Sequence, residues 1–98
     1  MLDLKQIQQQ IVELCDPHII LLFGSQAKGT AGQDSDVDLC VVASTSNKRE
    51  LLTELYYNVE FERPLDILLY TPEEWANSVA DPHSFAHKLD REGVLLYG

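Results

Sequence analysis

The stretch of residues 22–42, LFGSQAKGTAGQDSDVDLCVV, constrains the fold of this chain more than any other part of its sequence. An apolar strand enters the turn Gly24-Ser25, a polar loop follows, and a second apolar strand opens with two acids, Asp36 and Asp38. Strand side chains alternate between faces, so both carboxylates are predicted to point the same way, about 7 Å apart at roughly 3.3 Å per residue. Like charges on one face repel, so the pair is expected either to hold a cation or to be fully exposed. Oxygen-only ligands of this kind suit Mg²⁺ or Mn²⁺.

The apolar segments on either side of this loop are predicted to lie in the middle of a sheet. The segment from His18 to Phe23, with its apolar run Ile19–Phe23, is too short and too continuously apolar for a surface helix, which predicts a strand buried on both faces. Residues 37–43 are the second predicted strand, in which Cys40 shares the face of the acids. Cys40 is expected to belong to the core, because a thiolate is a poor match for Mg²⁺. Residues 25–28 are predicted to form a short helix, whose N-terminal N–H groups favour an anion.

Segment 24–38 resembles the active-site signature of the DNA polymerase β-like nucleotidyltransferases, which is Gly-Ser, ten residues, then Asp-x-Asp. The whole short chain is similar to the minimal nucleotidyltransferase (MNT) family, whose members are typically encoded beside a HEPN protein as antitoxin and toxin. A Walker A sequence is absent from the chain, which disfavours a P-loop NTPase.

The resemblance implies a role for each residue of the predicted nucleotide site. Gly24 and Ser25 would contact the triphosphate of ATP, with the Ser25 hydroxyl as an additional donor. Lys28 is expected either to approach a phosphate as a point charge or to be solvated, and its position in the sequence favours neither.

The resemblance also implies a set of three catalytic and metal-binding carboxylates. Asp36 and Asp38 would bridge two Mg²⁺ ions, with Mn²⁺ as an alternative metal. The third acid of this family lies on a neighbouring strand, and here the matching residue is Asp66, near the start of the predicted strand Leu65–Tyr70. Cross-strand neighbours have Cβ atoms about 5 Å apart, so Asp66 is expected to join the other two acids. The alternative for Asp66 is an exposed acid at the sheet edge.

The family likeness implies that the chain is an antitoxin, which transfers AMP from ATP to a tyrosine of a HEPN toxin, a presumed ribonuclease. Two other functions stay open at this point. One is an antitoxin that neutralises its partner by binding alone, against which the intact signature counts. The other is a nucleotidyltransferase acting on a small molecule such as an aminoglycoside, against which the absence of an acceptor-binding domain counts.

Length and charge limit the remaining possibilities. The 98 residues are expected to form one domain, 1–98, and their net charge is −9. That charge argues against binding nucleic-acid polymer and suits a basic protein partner. The polar N-terminus carries no secretory signal, and the longest apolar run is too short to span a membrane, so the expected location is the cytoplasm. Cys15 and Cys40 are then expected to be free thiols rather than a disulfide.

The order of predicted elements favours an α+β domain, a mixed sheet with helices packed on it and the acids at one exposed end. The resemblance implies that this domain has the polymerase β-like nucleotidyltransferase fold. The helix and strand boundaries follow from caps and apolar spacing. The expected elements are a helix from Asp3 to Asp16-Pro17, a helix capped by Ser46 or Asn47 and running to about Glu60, a helix capped by Thr71, a helix starting at Asp81-Pro82 and ending at Gly93, and a strand Val94–Tyr97.

Several side chains outside the signature are assigned to packing or to solvent. Trp75 is expected to anchor a core or an interface, and Tyr56 and Tyr57 are expected to pack. His83 and His87 are expected to be solvated rather than to bind zinc together, because the sequence offers no nearby third ligand.

Overall fold

The computed structural model describes residues 4–29 and 36–98 of the chain. The elements within them are, in chain order, α1 (Leu4–Cys15), β1 (Ile19–Phe23), α2 (Gly24–Lys28), β2 (Val37–Val42), α3 (Lys48–Asn58), β3 (Leu65–Tyr70), α4 (Pro72–Val79), α5 (Phe85–Glu92) and β4 (Val94–Tyr97). The predicted N-cap Asp3 and the predicted loop over residues 30–35 lie outside the described residues. Among residues 4–29 and 36–98, no helix has the length and apolar character needed to cross a membrane.

The four strands form one sheet in the order β3-β2-β1-β4. β1 runs antiparallel to both β2 and β4, whereas β2 and β3 are parallel. The predicted α+β class with a mixed sheet is therefore confirmed. β2 ends one residue earlier than predicted, at Val42, and α3 ends at Asn58 rather than near Glu60.

The sheet has a heavily packed face, which α1 and α3 cover. Ile7 and Ile11 of α1 and Leu55 of α3 are fully buried there, and they contact the apolar strand residues of this face. The cluster on this face consists of Ile7, Ile11, Ile20, Leu22, Val37, Leu39, Val41, Ala43, Leu51, Leu55, Val59, Ile67 and Leu69. The helical spacing of apolar residues in α1 and α3 places them along one side of each helix, which explains why each helix packs lengthwise on the sheet.

The opposite face carries a smaller cluster under α4 and α5. It contains Leu21, Cys40, Val42, Trp75, Ala86 and Leu89. Ile20 and Leu22 contribute to the larger cluster and Leu21 to this one, so the prediction that β1 is buried on both faces is confirmed. Trp75 is buried and packs edge-on against Tyr70, with ring centroids 5.3 Å apart, as a core anchor.

Two of the predicted helix starts are present as expected. The Asn47 side chain accepts a hydrogen bond from the Glu50 N–H at the start of α3. Thr71 and Glu74 form a complete capping box at the start of α4, because each side chain accepts from the backbone N–H of the other residue. These starts were predictable because a cap is a local motif of three or four residues.

The predicted start of α5 at Asp81-Pro82 is wrong. The helix begins at Phe85, with Ser84 as its N-cap, whose hydroxyl accepts from the His87 N–H. The Asp81 carboxylate instead accepts from the backbone N–H of His83, and this local bond stabilises a turn that competes with helix. Gly93 does follow the helix as predicted, but its φ of −70° is not left-handed, since the chain continues directly into β4.

The histidine and tyrosine expectations are met only in part. His83 is exposed, but the prediction of a solvated His87 is wrong, because its ring Nδ1 lies 2.9 Å from the Val79 carbonyl oxygen. Tyr57 is 85% exposed, so its predicted packing is also wrong. The Tyr56 hydroxyl accepts a hydrogen bond of 2.7 Å from the Ile67 N–H, which stabilises the outer edge of β3.

Candidate active site

The register of β2 and β3 brings two of the predicted acids side by side. Asp38 and Asp66 are paired across the parallel strands. Directly paired residues on neighbouring strands point to the same face, so both carboxylates lie on the α4/α5 face of the sheet. Asp66 is exposed and Asp38 is half-buried. The expectation that Asp66 lies beside the Asp-x-Asp strand thus matches the structure.

The third acid lies just ahead of β2. Asp36 is exposed and precedes the first residue of the strand. The pKa of the Asp38 carboxyl is raised, first because burial disfavours its charged form, then because of the negative charges of Asp66 and Asp36. The charges of the two neighbouring carboxylates thus add to the effect of burial on Asp38.

Gly24 lets the backbone approach this carboxylate closely. Its φ is +73°, a left-handed value, and a Cβ at this position would overlap the Asp38 carboxylate. Phe23, the residue before it, is the direct partner of Asp38 across β1 and β2. The Gly-Ser turn of the predicted signature therefore abuts its second aspartate, and Ser25 follows in the first turn of α2.

The chemistry of these side chains fits a divalent cation. All three are carboxylates, which are ligands that Mg²⁺ accepts, and the negative charges of Asp66 and Asp36 contribute, after burial, to the raised pKa of Asp38. Within residues 4–29 and 36–98, no three His, Cys, Asp or Glu side chains converge closely enough to hold a metal ion together. The acids are thus neighbours in this structure without forming a closed cage.

Cys40 takes no part in the candidate site. It is fully buried in the cluster under α4 and α5, two residues beyond Asp38 on the same strand face. Burial raises the pKa of its thiol to about 12, so it stays protonated at neutral pH. The expectation that Cys40 belongs to the core is confirmed, and both Cys40 and Cys15 are free thiols, as predicted.

A groove of about 260 Å³ lies between α2 and α5, on the side of Gly24. Phe23, Gly24 and Lys28 line it from one side, while Phe85 and Lys88 line it from α5. Sequence reasoning had singled out Lys28 but not the two α5 residues. Phe85 and Lys88 are three residues apart, a spacing that places two side chains on the same face of a helix. The sequence could therefore have grouped them, but only the packing of α5 in the structure shows that this face lies against α2.

A mixed sheet that sets neighbouring carboxylates against a Gly-Ser turn is the arrangement expected of a nucleotidyltransferase. The model of the family described as polymerase beta, nucleotidyltransferase matches residues 5–98, and the chain belongs to that family. The resemblance noted in the sequence is therefore confirmed at the level of the family.

Comparison with solved structures supports the fold. One matching chain belongs to a crystal structure of a toxin–antitoxin with AMP-PNP. It has a TM-score of 0.61 and 21% sequence identity, over 99% of this chain and 74% of the other. At this identity, the likeness establishes a shared fold. No curated protein matches the chain.

Proposed function

We propose that this chain is a nucleotidyltransferase-type antitoxin that transfers AMP from ATP to a tyrosine hydroxyl of a HEPN-type toxin. The observation that carries the proposal is the pairing of Asp38 with Asp66 beside Gly24. Family membership supports the reaction class. The fold shared with a chain of a toxin–antitoxin crystallised with AMP-PNP supports the choice of nucleotide and of partner.

The proposed reaction is an in-line displacement at the α-phosphorus of ATP. The tyrosine oxygen forms a new P–O bond as the bond between the α-phosphorus and the bridging oxygen breaks, and pyrophosphate leaves. Asp66 accepts the proton of the attacking hydroxyl, a role that suits an exposed carboxylate within reach of an incoming acceptor.

Three carboxylates, Asp36, Asp38 and Asp66, would hold two Mg²⁺ ions, or Mn²⁺ in their place. When bound, these ions supply charge neutralisation at the phosphates. The pairing of Asp38 with Asp66, with Asp36 directly before β2, supports cation binding at this end of the sheet.

Gly24, Ser25 and Lys28 would bind the triphosphate. Gly24 allows a close backbone approach, Ser25 contributes a hydroxyl donor, and exposed Lys28 adds a positive charge at the end of α2. Together they would orient the leaving pyrophosphate away from the incoming acceptor, so that the attacking oxygen and the leaving group stay in line.

The proposed acceptor is a protein that docks in trans. Asp66 lies on β3, an edge strand of the sheet, and its carboxylate is exposed. A folded partner can therefore reach it without entering a deep pocket. The net charge of −9 would speed encounter with a basic protein and oppose binding of nucleic-acid polymer.

Intact mass spectrometry of the candidate toxin tests the proposal. After incubation with this protein, ATP and Mg²⁺, the toxin should gain the mass of one or more AMP units, and the modified residue should be a tyrosine. Asp38→Asn should give no gain. Glu54→Gln, an exposed acid on α3 under the opposite face, is the matched control and should behave like the wild type.

Two outcomes would replace the proposal with another function. Neutralisation of the toxin without any mass gain, unaffected by Asp38→Asn, would identify an antitoxin that acts by binding alone. Transfer of AMP to an aminoglycoside, with none to protein, would identify a small-molecule nucleotidyltransferase.

A further inference from the structure

The groove between α2 and α5 has a composition unlike the rest of this acidic chain. Two of the seven Lys and Arg residues, Lys28 and Lys88, line it, although acidic residues outnumber basic ones 16 to 7. Both lysine side chains are exposed, so their charges are available to a ligand. Clustered cations in an otherwise negative molecule mark a site for an anionic ligand.

The walls of the groove present aromatic rings beside these cations. Phe23 and Phe85 pack edge-on, with ring centroids 5.7 Å apart and an interplanar angle of 80°. Phe85 is 48% exposed, so part of its ring is free to stack on a ligand. Glu92 supplies a carboxylate, an acceptor for N–H or O–H groups. This combination suits a flat, polar ring system linked to an anion.

The groove shares Gly24 with the candidate active site. Gly24 lines the groove and at the same time lies against the Asp38 carboxylate. Phe23 is paired with Asp38 across the strands. At about 260 Å³ the groove is slightly smaller than the typical pocket of roughly 300–1,000 Å³, which suits one ring system rather than a whole nucleoside triphosphate.

We infer that this groove is the base-binding subsite of the nucleotide, with Phe85 as the stacking surface and Lys88 as a second cation, beside Lys28, for the phosphates. The inference rests on the proposed function, because the nucleotide is the AMP donor of that reaction. Neither α5 residue belongs to the Gly-Ser and Asp-x-Asp signature. A second element, α5, thereby contributes to nucleotide binding.

Charge favours the nucleotide over the acceptor tyrosine as the occupant of the groove. The net charge of −9 suits a basic partner protein, which two lysines at the groove would repel. The phosphates of a nucleotide are attracted by the same lysines. An aromatic ring joined to a polyphosphate therefore matches both the walls and the charge of the groove.

Calorimetric binding of two probes, ATP and inorganic tripolyphosphate, tests the inference in the presence of Mg²⁺. Phe85→Ala should weaken ATP binding about tenfold, the usual scale for losing one base–aromatic stack, and leave tripolyphosphate binding unchanged. Lys88→Gln should weaken both probes, since it removes a charge that faces the phosphates. Phe85→Leu, which keeps an apolar side chain but loses the aromatic ring, should weaken ATP binding in the same direction.

Matched controls come from α3, which packs on the opposite face. Tyr57→Ala removes an aromatic ring that is 85% exposed, and Arg49→Gln removes an exposed positive charge. Neither should change the affinity for either probe. Titration with adenosine, followed by amide NMR shifts, should perturb Ala27 and Gly93, which also line the groove, and leave α3 unperturbed.

The outcomes separate this inference from the proposed function. ATP binding unchanged by both Phe85 variants, or weakened by them equally with tripolyphosphate binding, would overturn the base-binding assignment even if AMP transfer occurs. Selective weakening of ATP binding, in a protein that transfers AMP to no partner, would support the assignment and overturn the proposed function.

Discussion

The two faces of the sheet differ in what their strand residues do. On the α1/α3 face, successive inward residues of β2 and β3 are buried and apolar; they are Val37, Leu39, Val41, Ile67 and Leu69. On the α4/α5 face the first residues of these strands are Asp38 and Asp66. Only further along are β2 residues Cys40 and Val42 buried and β3 residues Leu68 and Tyr70 partly buried. The α1/α3 face, here called the covered face, thus stabilises the fold through apolar burial. The α4/α5 face, here called the open face, has exposed charged groups instead of buried apolar side chains at one end.

The lengths and positions of the helices account for this difference. α1 has 12 residues and α3 has 11, whereas α4 and α5 have eight each. The two shorter helices cover the sheet around Leu21, Cys40 and Val42 but leave the acid-bearing strand ends accessible. A partly covered face of this kind lets a small domain keep a sufficient core on one side and an open site on the other.

The largest expected effect concerns the open face. Asp38→Asn should abolish AMP transfer, because it removes a carboxylate at the centre of the acidic site. Ser25→Ala should leave measurable activity, reduced on the order of 10²–10³-fold, as when one donor to a phosphoryl or oxyanion group is lost. Single-turnover transfer rates would check both variants. Wild-type turnover by Asp38→Asn would show that the acids are not the catalytic centre.

The next effect concerns the covered face. Leu55→Ala, at a fully buried position of α3, should lower the free energy of unfolding by about 2–5 kcal/mol, since it leaves a cavity in the larger cluster. Affinity for ATP should stay unchanged while the protein is folded. Urea unfolding and calorimetry would measure the two quantities. A large loss of ATP affinity in folded Leu55→Ala protein would mean that packing on the covered face also controls ligand binding on the open face.

A smaller effect is expected when Asp38 on the open face is replaced and the stability of the metal-free protein is measured. Asp38→Asn keeps the side-chain shape and removes one repulsive partner, so with chelator it should melt higher than the wild type at neutral pH. A like-charge pair at 4 Å costs about 1 kcal/mol in water, and solvent at this half-buried site keeps the cost near that value. Added Mg²⁺ should stabilise the wild type by mass action and the variant much less.

The difference in melting temperature between Asp38→Asn and the wild type should depend on pH, because the pKa of Asp38 is raised in the folded protein. At pH values between the pKa of Asp38 in the unfolded chain and its higher pKa in the folded protein, the folded state binds more protons than the unfolded state. The wild type therefore loses stability as pH rises through this range. The advantage of Asp38→Asn should therefore be full at neutral pH and vanish as pH falls below the ordinary range of an aspartate. Thermal melts with chelator across this range would measure it. A variant that melts lower than wild type at neutral pH would indicate that hydrogen bonds to Asp38 outweigh the repulsion.

The smallest effect on the reaction is expected from the thiols. Replacing Cys15 and Cys40 together by Ala should cost about 1 kcal/mol of stability, mostly at buried Cys40, and leave the transfer rate unchanged. Thermal melts and transfer rates of the double variant would check this. An inactive variant that folds normally would place a thiol in the reaction.

Local patterns in the sequence were sufficient to predict most elements. The continuous apolar run of Ile19–Phe23 predicted β1 to within one residue, and the Thr71 capping box predicted the start of α4. Such signals work because they depend on residues a few positions apart, whose backbone preferences and hydrogen bonds are local. The start of α5 was missed because Asp81 bonds to the His83 N–H and forms a turn instead of a cap.

The tertiary structure decided how distant segments meet. The pairing of Asp38 with Asp66 depends on the register of two strands that a helix separates in the chain. The close approach of the Gly24 backbone to Asp38 depends on the β1–β2 pairing. The meeting of Phe85 and Lys88 with α2 depends on where α5 packs. Register and packing are set by burial summed over many non-local contacts, which no short segment specifies. The sequence by itself could therefore single out the acids as candidates, whereas their arrangement and the groove beside Gly24 required the folded structure.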